Sequence, residues 1–178
     1  MKRLKARLIL TFDCPRHCPN CANDQIAAIA AIPRVATIRE LDIYDEIILT
    51  GGEPMLDPEA TLGFVLDLKT RRMARTVYLY TALWSPAIHD LLRIVDGIHY
   101  TIHAPTLPGD DFGLASMHVA ISEARHHGDL SCRLCVDADV REPVTIYPYI
   151  WDRVEIARFK EDCPVPAGET LLVWGGTR

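Results

Sequence analysis

From Leu4 to Phe159, apolar runs with strand character alternate with helix-patterned segments in one unbroken succession, and that alternation narrows the choice of fold more than any other feature. Leu4–Phe12 reads as a strand that ends at a cysteine-rich loop, and Ala22–Ile32 as a helix halted by Pro33. Glu46–Thr50 is a second strand, stopped by Gly51 and Gly52. Asp57 and Pro58 then open a helix with Leu62, Val65, Leu66 and Met73 on one side. Thr76–Thr81 and Gly97–His103 are the third and fourth strands, separated by a helix over Pro86–Val95. Leu114, Met117, Ile121 and Ala124 mark a further helical stripe. Ser131–Asp137 and Arg153–Phe159 are the fifth and sixth strands, with a poor or short helix over Thr145–Trp151 between them. Leu171–Trp174 is a short strand or a docked tail.

Such alternation predicts an α/β fold with a parallel sheet, helices outside, either open or curled into a partial (β/α)6-type barrel open on one side. At 178 residues the chain is too short for a full eight-unit barrel of about 250 residues. With 49% hydrophobic residues and no repeat or linker, residues 1–178 form one domain, its core at about 4–159 and a tail at 160–178.

Net charge is −5, which gives no global case for nucleic-acid binding. The basic cluster Lys69, Arg71, Arg72 and Arg75 falls at a helix end, where the dipole favours cations, and reads as an ordinary helix terminus rather than a binding patch. No apolar run approaches the roughly 20 residues that cross a bilayer, and no cleavage site follows the short apolar run near the amino terminus. The expectation is a cytoplasmic protein. Six cysteines in a reducing compartment then read as free thiols or ligands.

Three of those cysteines stand at Cys14, Cys18 and Cys21, in DCPRHCPNCAND. Two suffice for a bridge and four complete the usual zinc site, so three leave a metal one ligand short. Taken alone, the loop is equally a zinc site completed by His17 or a distant residue, and GGEP at 51–54 an ordinary strand-to-helix turn. In parallel α/β sheets ligands sit beyond the carboxyl ends of strands, where both motifs fall, so they share one edge of the sheet.

The spacing CxxxCxxC after the first strand, followed in order by Gly51-Gly52-Glu53-Pro54 after the second, resembles the signature of the radical S-adenosylmethionine (SAM) enzymes. The resemblance implies a 4Fe-4S cluster on Cys14, Cys18 and Cys21, its fourth iron bound by the amino and carboxylate groups of SAM, and a SAM amino group received at Gly51, Gly52, Glu53 and Pro54. It also implies reductive cleavage of SAM to a 5′-deoxyadenosyl radical that abstracts hydrogen from a substrate. Glycines at 51 and 52 are expected to let backbone approach a small polar ligand. Family members often carry an aromatic residue before the third cysteine; Asn20 stands there, able to offer its backbone to adenine but not a stacking ring.

Strand alternation adds further candidates. In the fourth strand Ile98, Tyr100 and Ile102 share one face and His99, Thr101 and His103 the other, which puts His103 at the strand's carboxyl end. In the fifth, Arg133 and Asp137 share a face and are candidates for the SAM carboxylate and a ribose hydroxyl; a mutual ion pair is the competing reading. Thr81 closes the third strand. Cys132 and Cys135 point to opposite faces and cannot readily share a metal; a second site with Cys163 is disfavoured.

The implied partners are SAM, an electron donor and an unidentified substrate, which is a small molecule, a protein or a nucleic acid. A homodimer or partner protein covering the open barrel suits so short a chain. The alternatives are a non-catalytic metal- or cluster-binding module and a radical-generating subunit that needs a protein partner.

Overall fold

The computed structural model describes residues 3–16, 18, 21, 32–72, 75–158 and 165–176. Asn20, His17, Cys163 and all but the end of the expected helix at Ala22–Ile32 lie outside them. Eight strands, all parallel, form one sheet. They are β1 (Lys5–Thr11), β2 (Arg34–Val35), β3 (Glu46–Gly51), β4 (Thr76–Thr81), β5 (Gly97–Ile102), β6 (Ser131–Asp137), β7 (Arg153–Ala157) and β8 (Glu169–Trp174), in the order β2-β8-β1-β3-β4-β5-β6-β7. Among the described residues the α-helices are α1 (Pro58–Arg71), α2 (Ile88–Leu91) and α3 (Asp110–Arg125). The sheet does not close, as a partial barrel requires.

One face of the sheet is the core. Ala6, Leu8 and Leu10 of β1, Ile47 and Leu49 of β3, Val77 and Leu79 of β4 and Ile98, Tyr100 and Ile102 of β5 pack with Phe64, Val65 and Leu68 of α1 and Leu114, Met117 and Ile121 of α3. The period of two expected for β5 and β6 is present: Cys132, Leu134 and Val136 join the core, whereas Arg133 is exposed on the other face. α1 starts where Pro58 needs no amide partner and Asp57 Oδ1 accepts the Ala60 amide at 3.0 Å.

Several elements differ from expectation. The helix expected over Pro86–Val95 is only the four-residue α2. Asp96 draws the chain away: its carboxylate accepts the Val77 amide at 2.7 Å and pairs with Lys69, and its own amide donates to Val77 O at 2.8 Å. The short helix over Thr145–Trp151 is a 3-10 turn at Pro148–Ile150. The sixth strand ends at Ala157, and the two-residue β2 has no counterpart in the sequence reading.

The run Leu171–Trp174 is a strand rather than a docked tail, and β8 lies between β1 and β2 instead of at an edge. Trp174 packs edge-on against Phe64 of α1, ring centroids 4.9 Å apart, and so closes the domain.

The basic cluster is paired throughout. Lys69 meets Asp96, Arg71 meets Asp42 and Arg72 meets Asp45 at 2.6 Å, while Arg75, fully buried, donates to Leu41 O at 3.0 Å and Asp42 at 3.2 Å. These contacts tie the carboxyl end of α1 to the segment before β3 and to Asp96 just before β5, at the edge opposite the cysteine loop. Among the described residues no helix is long and apolar enough to cross a membrane.

Candidate functional site

The two loop motifs meet at the carboxyl edge of the sheet through their main chains. Gly52 N donates to Thr11 O at 2.6 Å and Glu53 N to Asp13 O at 2.8 Å, so the GGEP turn is bonded to the start of the cysteine loop. A Cβ at Gly51, where φ is +126°, would stand 2.4 Å from Thr11 O, and one at Gly52 2.1 Å from Asp13 O. The glycines were expected to admit a ligand; what they demonstrably admit is the neighbouring backbone.

Glu53 continues the linkage. Its buried carboxylate accepts Thr81 Oγ1 at 2.5 Å, the Ala82 amide at 2.8 Å and the Met55 amide at 2.9 Å, which ties the turn to the end of β4. Burial pushes its carboxyl above the usual range, and these three donors work against that shift. Thr81 therefore spends its proton on Glu53 and accepts the Leu83 amide at 3.1 Å. Pro54 is buried beneath the same turn.

Cys14, Cys18 and Cys21 are partly exposed and in no disulfide. Burial raises the Cys14 thiol and pushes Cys18 up to about 11, so the apo loop holds protons that metal binding must release. Among the described residues no three His, Cys, Asp or Glu side chains are drawn together as the ligands of a single ion would be. A 4Fe-4S cluster instead spreads its thiolates over several irons, and three soft donors on one loop fit it.

Between Cys14 and Cys18 the chain inserts Arg16, which sequence reasoning passed over. Its buried guanidinium pairs with Asp110 at the start of α3 and donates to Ala82 O at 3.1 Å, while Nε and Nη1 have no protein partner. A buried charge answered by a carboxylate across the fold fixes the cysteine loop over the ends of β4 and β5. No local pattern announces the pair, which spans 94 residues.

The remaining candidates separate. His103 lies at this edge; burial and the Arg16 charge lower it to about 4, so the imidazole is neutral at pH 7. Asp137 shares the edge and accepts the Asp139 amide at 3.0 Å and the Ala104 amide at 3.4 Å, not Arg133. Arg133 is in register with His99, four residues before Asp137 and thus roughly 13 Å down the strand. The structure does not bring it to the cysteine loop. Cys132 and Cys135 face opposite ways, as the strand pattern requires, and burial pushes them to about 12 and about 11.

The matched region contains both loops. A family model described as a 4Fe-4S single cluster domain matches residues 5–105, more than half of the 178. No curated protein matches the chain. A cluster-binding assignment agrees with three thiols on one loop, held by Arg16 below and the GGEP turn beside them. On that match the chain belongs to the 4Fe-4S single cluster domain family.

Proposed function

We propose that the protein is a radical SAM enzyme. The observation that carries the reading is the bonding of the GGEP turn to the CxxxCxxC loop through Gly52 N to Thr11 O and Glu53 N to Asp13 O, which puts a three-thiol cluster site and a glycine turn side by side at the carboxyl edge of a parallel sheet. When bound, a reduced 4Fe-4S cluster and SAM supply reductive cleavage of the sulfonium and a 5′-deoxyadenosyl radical that abstracts a substrate hydrogen.

The chain's own residues hold and orient. Cys14, Cys18 and Cys21 are the cluster ligands, and the main chain of Gly51–Pro54 receives SAM. Glu53 and Thr81 are committed to one another, so their part is to position that turn. In this reading His103, neutral, and Asp137 meet the nucleoside, and Asn20 offers its main chain to adenine. Arg16 keeps a positive charge beside the thiolates. An electron donor is required, and a second copy or a partner protein covers the open side of the sheet.

Anaerobic reconstitution with iron and sulfide, then dithionite and SAM with chromatography for 5′-deoxyadenosine, tests this against a Cys18→Ala control. Product from the parent alone supports the reading. A reconstituted cluster that never cleaves SAM, with or without added partner fractions, leaves a cluster-binding module and overturns it.

A further inference from the structure

The sheet face turned away from the helices carries a polar groove of about 170 Å³, lined among others by Lys5, Glu46, Tyr80, His99, Arg133 and Glu169, with the Arg7 guanidinium over the Tyr80 ring. That volume holds roughly six waters or one small organic group. Lys5 pairs with Glu46 at 2.8 Å and Arg7 with Glu169 at 2.8 Å. Arg133, at the other end of the row, forms no ion pair among the described residues and is exposed into the groove.

The Tyr80 and His99 rings stack at 4.3 Å between these cations, with the Arg7 guanidinium 4.9 Å from the Tyr80 ring centroid. His99 Nδ1 is buried without a protein partner, a condition native structures seldom leave unanswered. Burial, then Arg133, Arg7 and Arg153, lower this imidazole. Lys5 and Arg7 thus answer the two carboxylates of the groove, and Arg133 is the cation of its lining left without an acidic partner among the described residues.

We propose that this groove binds the anionic end of a small organic molecule, a carboxylate or phosphate held by Arg133 beside His99. His99 stands four residues below His103, about 13 Å along β5, so a molecule anchored here reaches the carboxyl edge only with an extended body. As a statement of substrate class this rests on the proposed hydrogen abstraction, whereas as a statement of anion binding it does not.

The test uses the reconstituted full-length protein without SAM or reductant, titrated at pH 7 with benzoate and separately with inorganic phosphate, while the imidazole resonances are followed by NMR. Saturable binding of either anion that shifts the His99 resonance is expected, weakened on the order of tenfold or more by Arg133→Gln. Arg133→Lys should retain part of it, and Arg158→Gln, whose side chain pairs with Asp139 on the surface, all of it. Benzoate binding alone assigns a carboxylate and phosphate binding alone a phosphate. Saturation by neither, or binding indifferent to Arg133→Gln, overturns the inference while leaving SAM cleavage untouched. Anion binding in a protein that cannot cleave SAM removes only the enzymatic reading.

Discussion

Thr81 Oγ1 donates to Glu53 Oε1 at 2.5 Å, a bond that joins the end of β4 to the turn after β3. Because Glu53 also takes the Ala82 and Met55 amides, Glu53→Ala leaves three donors without their acceptor. The expected loss is about 1–3 kcal/mol, seen as a fall of several degrees in thermal melting. Thr81→Val should cost less, since Glu53 keeps two of its donors. A Glu53→Ala protein that melts with the parent would show the turn is held by its main chain alone.

Arg16 and Asp110 are expected to behave as one unit. Arg16→Met strands a buried carboxylate and should cost about 3–5 kcal/mol. Asp110→Asn, which can still accept the Leu107 amide, should also be strongly destabilising. The double variant should lose clearly less than the sum of the two, and denaturant melts of all four proteins measure that difference. Strict additivity would show that the two charges do not depend on each other.

Two glycines should respond in opposite senses to the same change. Gly52→Ala thrusts a methyl to 2.1 Å from Asp13 O and must displace the cysteine loop, so iron per chain after reconstitution is expected to fall severalfold. Gly63 lies inside α1 with nothing within 4 Å of its added Cβ, and Gly63→Ala should stabilise by about 0.5–1 kcal/mol with iron content unchanged. Iron assay and melting on both variants check the pair.

His99 predicts an acid-sensitive fold. Burial and the neighbouring arginines lower it to about 4, against about 6.5 in an unfolded chain, so the unfolded state takes up the proton first. The His99 contribution to stability should decline as pH falls from about 6.5 to about 4 and level off below. That lowering corresponds to at most about 3.4 kcal/mol. His99→Gln should flatten the slope in that window; burial sets it first, and Arg133, Arg7 and Arg153 add to it. An unchanged slope would place the sensitivity elsewhere, His103 being the next histidine to replace.

Thiol substitution separates ligands from core. Alanine at Cys14, Cys18 or Cys21 should abolish most cluster absorbance after reconstitution. Cys132→Ala, in the core between sheet and α3, should keep full iron and cost about 1–2 kcal/mol of packing. Retention of the cluster in any of the first three would remove that residue from the ligand set.

Much of the scaffold was legible because apolar residues in β5 and β6 alternate cleanly where one face meets helices, and because Gly51-Gly52 and the cysteine loop sit at strand ends. What escaped depends on distance. The Arg16–Asp110 pair joins a loop to a helix 94 residues on, and nothing local marks either partner. Arg133 and Asp137 were placed on the correct face, yet a shared face does not mean a shared site, since four residues of strand separate them. The end of the expected helix over Pro86–Val95 was lost to Asp96, whose bonds to Val77 and Lys69 outweigh local helical preference.

The position of β8 bears on how the chain reaches this structure. β1 lies between β3 and β8, so the strand that leads into the cysteine loop has a neighbour on only one side until residues 169–174 arrive. During synthesis the three thiols emerge early, whereas the strand beneath them completes its ladder late. A ribosome-held fragment lacking β8 should therefore present those cysteines at the end of a strand paired on one side only.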